Sequence, residues 1–435
     1  VRAINRREIV SFVAVVAVVL LVPSLSWGAG FSLFEHGNRA MGMGGAFVAV
    51  ADDPAAIYWN PAGIAFQQDK GTQFMAGFTL ISAAQEFTGD SPFPGDGYKA
   101  EQEDQIFYPP HIYVVYPVND RLTIGGGVLT PFGLGTWWKE DFAGRFISKR
   151  VNLEVFDYTA VAAYKVSDRV AVSLGVDYAI GRIDLTKNIG FINPYTQQLA
   201  DVGQVHLHTD DMSNDAFGWN ASVLAKLEHG FSVGLLYRSK LDIDYEGVGS
   251  FTQYPTGYAD FDALLQSQVP FGEKVPLTTN IEFPDFWSIG LAWENEAWTI
   301  SAQYGEQGWS SFQDLPITFT SYPALNDTVV EAYDDVKQYR FGAEYRANPT
   351  WAFQGGFLFD ETPQPIESMS PLLGDGDRTG ISVGATWTHG KVWVEVGYMY
   401  LMFDERSTEG RSFDGYEGSY ETVGHLLGMS FGTRF

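Results

Sequence analysis

The chain has no cysteine, so disulfides and thiolate metal sites are excluded. It lacks an apolar run of the roughly 20 residues that a membrane-spanning helix needs; the longest such stretch, residues 9–22, stops short of that. It is poor in basic residues, with 27 Lys and Arg against 53 Asp and Glu and a formal charge of −26. An acidic balance of this kind argues against nucleic acid as a partner. The mean hydropathy of −0.08 is too low for a helical membrane bundle. A transmembrane β-barrel shows no such deficit, because only alternate residues of each strand meet lipid. What the chain holds in quantity is glycine, 47 of 435 residues, and aromatic side chains, 15 %.

Arg2, Arg6 and Arg7 precede the 9–22 run, and Pro23, Ser24, Ser26 and Gly28 follow it. A basic start, a short apolar core and small residues before a cleavage point read as a secretory signal peptide over 1–28. Its removal would leave Ala29 first and the chain more acidic still. The acids are expected on solvated external loops, with divalent bridging to lipopolysaccharide as the sharper alternative.

From about residue 70 onward apolar and small or polar residues alternate. Ile381, Val383, Ala385 and Trp387 share one face, opposite Ser382, Gly384, Thr386 and Thr388. Trp298, Ile300, Ala302 and Tyr304 repeat the pattern, as do Trp287, Ile289, Leu291 and Trp293, and Val170 through Tyr178. Period two with this composition means lipid outside and a polar interior. The alternating segments number about fourteen: 71–88, 107–118, 121–132, 153–167, 168–186, 216–229, 231–247, 281–294, 297–312, 335–347, 350–362, 376–389, 391–404 and 419–435. Tight turns at Asn119-Asp120, Ser167-Asp168, Glu228-His229-Gly230, Asn295-Glu296, Asn348-Pro349 and His389-Gly390 take turns with long joints at 89–106, 133–152, 187–215, 248–280, 313–334, 363–375 and 405–418. Turn residues of these types suit two- and three-residue hairpins. The fold class is therefore all-β: a transmembrane antiparallel β-barrel over 69–435, short turns in the periplasm and long loops outside, in a Gram-negative outer membrane. The last strand carries Val423, Leu427, Met429, Phe431 and Phe435 on one face, and its terminal Phe435 resembles the recognition signal of the barrel-assembly machinery.

Residues 29–68 do not alternate. Gly42, Gly44 and Gly45, then Asp52-Asp53-Pro54, then Asn60-Pro61-Ala62-Gly63 punctuate an apolar stretch that is too hydrophobic for a disordered tail. A barrel of this width has an interior to fill, so this segment is expected to fold inside it as an N-terminal hatch.

At this point the chain resembles the FadL-type family, outer-membrane transporters of long-chain fatty acids and aromatic hydrocarbons. The resemblance spans the mature chain and is densest at Ala29-Gly30-Phe31-Ser32-Leu33, Glu35, Ala40-Met41-Gly42, Ala51-Asp52-Asp53 and Asn60-Pro61-Ala62-Gly63. A second stretch runs from Thr130-Pro131-Phe132-Gly133-Leu134 through Trp138 and Gly144-Arg145-Phe146 to Ala163–Asp168. The resemblance implies capture of a hydrophobic ligand by extracellular loops and transfer to a pocket near Phe31 and Leu33. It also implies lateral release through an inward kink of the third strand at Pro131-Phe132-Gly133, beside Asn60-Pro61-Ala62. The residues themselves support the kink: Pro131 has no N–H for the ladder and Gly133 no side chain. Fatty acids are the expected substrate, aromatic hydrocarbons the nearest rival, and a structural or adhesive surface barrel or a water-filled porin the alternatives from other classes.

By parity Lys226, Arg238, Lys240 and Arg340 point inward, balanced by Asp177, Asp242 and Glu344. Arg238 and Arg340 are the candidates to pair a substrate carboxylate. Phe261, Leu264, Leu265, Val269 and Phe271 form an apolar loop patch, a candidate capture surface whose first members fit one face of a short helix. Gly230–Gly234, Gly380–Gly384 and Gly428–Gly432 match G-x-S-x-G, but a hydrolase elbow needs a strand-turn-helix context, and three copies in alternating strands are barrel periodicity. No catalytic residue is expected, and no cofactor. His206 and His208 share a face near Asp210 and Asp211, a donor set that could hold zinc, yet the 187–215 joint reads as a solvated loop and no metal is expected. A monomer is expected, surrounded by outer-membrane lipid.

Overall fold

The computed structural model describes residues 30–209 and 214–435; the expected signal peptide over 1–28 and the acids Asp210 and Asp211 lie outside them. Among the described residues, no helix is long and apolar enough to cross a membrane. Among the described residues nineteen strands join one antiparallel sheet, and they run as a closed barrel of fourteen crossings. In chain order these are β1 (Gln73–Gly89), β2 (Lys99–Glu101, resumed as Pro110–Pro117), β3 (Leu122–Trp137), β4 (Arg150–Lys165) and β5 (Val170–Ile192). Then come β6 (Leu199–Thr209 and Asp215–Lys226), β7 (Phe231–Arg238 and Leu241–Gln253), β8 (Lys274–Phe283 and Phe286–Glu294), β9 (Trp298–Gln307) and β10 (Val336–Arg346). The ring ends with β11 (Trp351–Asp360), β12 (Arg378–His389), β13 (Val392–Phe403) and β14 (Gly418–Arg434). β1 pairs with β14 along its whole length, from Gln73↔Arg434 to Gly89↔Gly418. No strand edge is left open where the two meet, as lipid demands.

Four of the six short connections carry one device. Asn119 Oδ1 accepts from the backbone N–H groups of Arg121 and Leu122, both at 2.9 Å. Asn295 and Asn348 do the same for the residues two and three places on, and Ser167 Oγ serves Arg169 and Val170. These side-chain caps satisfy N–H groups that a hairpin of this length cannot pair itself. The outward positions form the lipid face: Leu174, Val176, Ile381, Val383, Leu427 and Met429 are all exposed.

Several expected loops are largely strand. Residues 187–192 and 199–209 extend β5 and β6, and 248–253 and 274–280 extend β7 and β8. The joint between β7 and β8 holds a helix, Ala259–Gln268. Both β7 and β8 break midway, at 239–240 and 284–285, and each break inverts the alternation. Gly234 and Leu236 point inward below the first break; Leu241, Ile243 and Tyr245 do so above it. Asp242 therefore faces outward, where Asn280 donates to it at 2.8 Å. Half-exposed Lys240 pairs with Glu282 at 2.7 Å. Neither is the interior residue that unbroken parity implies.

Residues 30–72 lie inside the ring. They contain two short helices, α1 (Asn38–Gly42) and α2 (Ala56–Trp59), and a tight turn over Pro61–Phe66. Their apolar core, with Met43, Phe47, Ile57, Trp59 and Ile64, packs on wall residues from Met75 of β1 to Trp393 of β13. Polar wall residues fasten the backbone: Ser430 Oγ is 2.8 Å from Asn38 Nδ2, Ser382 Oγ accepts from Gly44 N–H at 3.0 Å, and Gln303 Oε1 accepts from Phe47 and Val48. The inward glycines make room. A Cβ on Gly356 would lie 2.1 Å from Gly44 N, whereas its neighbour Gly355 faces outward with nothing within 4 Å. Gly356→Val is therefore expected to unseat the inner segment, raising single-channel conductance in planar bilayers, while Gly355→Val leaves the conductance at the wild-type level.

Candidate functional site

The wall of β3 departs from a regular ladder at one place. Its pairing with β2 runs from Pro117↔Thr123 to Ile112↔Val128 and resumes only at the Gln102↔Trp138 bridge. On the other side its register to β4 shifts between Leu129 and Phe132. Thr130-Pro131 is thus a bulge, and Pro109-Pro110 opposite it adds two more residues that cannot donate. The inner segment meets the bulge. Leu33 N–H donates to Pro131 O at 2.8 Å and Gly133 N–H to Phe31 O at 3.0 Å, with Ser32 bridged to Phe132. Residues 31–33 thus act as a short extra strand that takes up polar groups the bulge leaves free. On the β2 side, the Phe107 ring lies so close to Gly135 that a Cβ there would be 2.0 Å from it. The ring fills the seam without a backbone bond.

A cavity of about 40 Å³ lies behind the bulge, lined by Ser32, Phe34, Tyr58, Pro131, Phe132, Asp157, Asp177, Arg238, Leu241, Pro284 and Phe286. Its lining includes the irregularities of three strands: the β3 bulge and the breaks of β7 and β8. Above it stands an apolar column. Phe31 packs on Trp309 at 4.5 Å and Phe312 at 5.6 Å, Phe132 on Phe283 at 4.6 Å, and Tyr245, Ile243 and Tyr333 extend the cluster. A second cluster with Phe251, Val275, Leu277 and Phe319 continues toward the long loops. A cavity of that volume holds only a few waters, so passage of a larger solute requires these side chains to swing.

Phe31, Leu33, Pro131, Phe132 and Gly133 come together at the bulge. Asn60-Pro61-Ala62 is fastened to β6. Asn60 Nδ2 donates to Val48 O at 2.7 Å and Val223 O at 3.0 Å, and Ala62 N–H to Ser222 Oγ at 2.9 Å. This motif ties the inner segment to β6, and the buried Asn60 amide finds its carbonyl partners there and within the inner segment. Arg238 lines the cavity, donating to Tyr58 O at 2.6 Å and standing 3.9 Å from Asp177. Arg340 is sealed beneath the inner segment, paired with Asp360 at 2.8 Å and stacked over Phe34, so it is committed to structure. In the loop helix Phe261 and Leu265 are buried against Val202 and Phe271, leaving Leu264 exposed. The helix expectation holds, but two of the three candidate residues on it pack inward. Sequence reasoning missed Phe107 and Gly135, whose pairing across the seam has no local signal.

Toward the short turns the interior becomes ionic. Arg39 grips Glu344 of β10 with two bonds, at 2.6 and 3.0 Å, and reaches Asp52 and Asp53 at 2.5 and 3.1 Å. Burial pushes the Asp52 carboxyl up, but Arg39 and Lys70 outweigh it and hold it down at about 2; for Asp53 burial wins and the shift is upward. These groups border a cavity of about 240 Å³ with Arg346 and Trp351. A strap of buried charge thus closes this end, and the greasy column opens toward the other.

The family described as outer membrane protein transport protein (OMPP1/FadL/TodX) matches residues 19–435. The long-chain fatty acid transport protein of Salmonella typhi is 28 % identical, over 97 % of both chains. The crystal structure of a Pseudomonas aeruginosa FadL homologue superposes with a TM-score of 0.80 at 18 % identity, covering 94 % of this chain and all of that one. The Ralstonia pickettii toluene transporter TbuX gives 0.68 at 19 %, covering 93 % and 100 %.

Breaking the Arg39 strap should loosen the inner segment. Arg39→Met takes away the cation that three carboxylates share, leaving Lys70 near Asp52 and Arg346 on Glu344, and is expected to cost about 3 kcal/mol, read as lost hydrogen-exchange protection over 36–56. Adding Glu344→Gln should recover part of it. The Asp52 contribution is present above the ordinary carboxylate value of 3.8 and is lost as pH falls through about 2.

Proposed function

The chain belongs to the outer membrane protein transport family (OMPP1/FadL/TodX) and is an outer-membrane transporter of hydrophobic molecules, not an enzyme; from that premise we propose that it takes up long-chain fatty acids and releases them sideways into the membrane. Ligand enters among the long loops, near exposed Leu264 and the stacked pair Tyr195 and Tyr258. It descends the apolar column by displacing aromatic side chains and reaches the cavity at Phe31, Phe132 and Arg238. The inner segment, acting as a hatch, bars the straight path to the periplasm. Exit is through the 129–136 seam once Phe107 swings away from Gly135.

The observation that carries this reading is the convergence of cavity, column and seam at the β3 bulge. An oily solute gains roughly 0.8 kcal/mol for each methylene kept from water, so a greasy column that opens onto lipid is downhill throughout. The strap at Arg39 is the opposite: crossing it would strip buried charges of their partners. The same proposal has the barrel working as a monomer, inserted by the assembly machinery through exposed Phe435 and held among outer-membrane lipid and lipopolysaccharide.

A second reading, uptake of aromatic hydrocarbons, is favoured by one feature. Arg238 already faces Asp177 and the neighbouring Asp157, so no cation is spare for a ligand carboxylate. Arg238→Met separates the two: oleate uptake should fall and toluene uptake should persist if the carboxylate is read by Arg238. For either ligand, Pro131→Val with Gly133→Val should regularise β3 and reduce uptake of labelled ligand to that of cells lacking the protein, with the barrel still heat-modifiable on gels. Uptake at the wild-type level in that variant counts against lateral exit.

A further inference from the structure

Two of the chain's seven histidines stand on one strand, two residues apart, with a carboxylate opposite. His206 and His208 belong to the upper half of β6, not to a loop. The register sets His208 directly across from Asp184 of β5, and His206 across from Thr186. All three side chains leave the outer face of the barrel, above the lipid-facing row Val172, Leu174 and Val176. Their donor atoms converge. His206 Nε2 lies 3.1 Å and His208 Nδ1 2.7 Å from the same oxygen, Asp184 Oδ1. The other carboxylate oxygen, Oδ2, accepts from Arg182 Nε at 3.1 Å, which turns Oδ1 toward the imidazoles.

From this we infer that Asp184, His206 and His208 form a binding site for a divalent transition-metal ion of the zinc type on the outer wall of the barrel. Successive residues of a strand point to opposite faces, so i and i+2 are the positions from which two imidazoles can reach one ion. Two nitrogens and a carboxylate oxygen are the donor set that zinc takes and that magnesium and calcium do not favour. The three atoms lie within 4.8 Å of one another, and bonds of roughly 2 Å to zinc need only small side-chain rotations. The Arg182 contact supplies the outer support that ligating carboxylates normally have. Asp184 is mostly covered while both rings are half exposed, so the ion would enter from outside and keep an open side there. Each ring nitrogen now points at Oδ1, so the metal would come between them. The site is independent of ligand uptake, since nothing in it reaches the lumen.

The test uses tag-free protein in detergent, stripped with chelator, dialysed against Zn²⁺ and assayed for bound zinc by mass spectrometry. One equivalent above background is expected. It should weaken by about tenfold or more in His206→Ala, His208→Ala and Asp184→Asn, and be unchanged in His425→Ala, whose imidazole meets Tyr398 elsewhere on the wall. Heat-modifiability of each variant confirms the barrel, and Co²⁺ absorption bands lost in Asp184→Asn would give a second readout. Excess Mg²⁺ is expected not to displace the zinc. Equal zinc content in the wild type and the His206→Ala variant, or displacement by Mg²⁺, overturns the assignment.

Discussion

In hydrocarbon no water is available to a peptide group, so each backbone N–H and C=O must find its partner within the protein. The barrel meets this by closing β1 onto β14. The constraint presses hardest at residues 129–136, where β3 parts from β2. There the missing neighbour is replaced by residues 31–33, through Leu33 N–H on Pro131 O and Phe31 O on Gly133 N–H. The gap in the wall and the segment inside the barrel are therefore one construction. A bulge without the inner segment would leave peptide groups unpaired next to lipid, and the inner segment without the bulge would have no edge to join.

The rest of the interior is graded around that junction. On the short-turn side lie Arg39, Asp52, Asp53 and Glu344, a network whose members are each costly to bury alone and stable only together. On the long-loop side lie Phe31, Phe132, Phe283 and Trp309, then Phe251 and Phe319. The breaks in β7 and β8 fall at the boundary between the two regimes. Each inverts which residues face inward, so the strands change from a row that grips the inner segment to one that lines the column. Gly234 shows the lower regime: a Cβ there would lie 2.0 Å from Val48 O.

Much of this architecture was legible residue by residue. The caps at Asn119, Ser167, Asn295 and Asn348 are local chemistry, and a two-residue turn between alternating strands needs such residues whatever the rest of the chain does. The bulge was legible too, since proline in a strand removes a donor wherever it lies. Strand ends and loop contents were less so. Above the membrane a strand no longer has to alternate, and 187–209 lost its signal there while keeping its ladder. Asp242 and Lys240 were misplaced because parity is counted along the chain, and a break resets the count without marking itself. Asn60-Pro61-Ala62 was placed at the opening by resemblance, yet its amide is spent on β6.

By itself the sequence determined the class of structure, the number of crossings, the side on which short turns gather, and which segment would be left over to fill the interior. All of these follow from periodicity and turn chemistry, which act over a few residues. Only the tertiary structure decided that Phe107 fills the seam against Gly135, that Arg340 is spent on Asp360 while Arg238 faces the cavity, and that Asp184 meets two histidines more than twenty positions away. Those pairings depend on register between strands, and register is set by the closure of the whole ring.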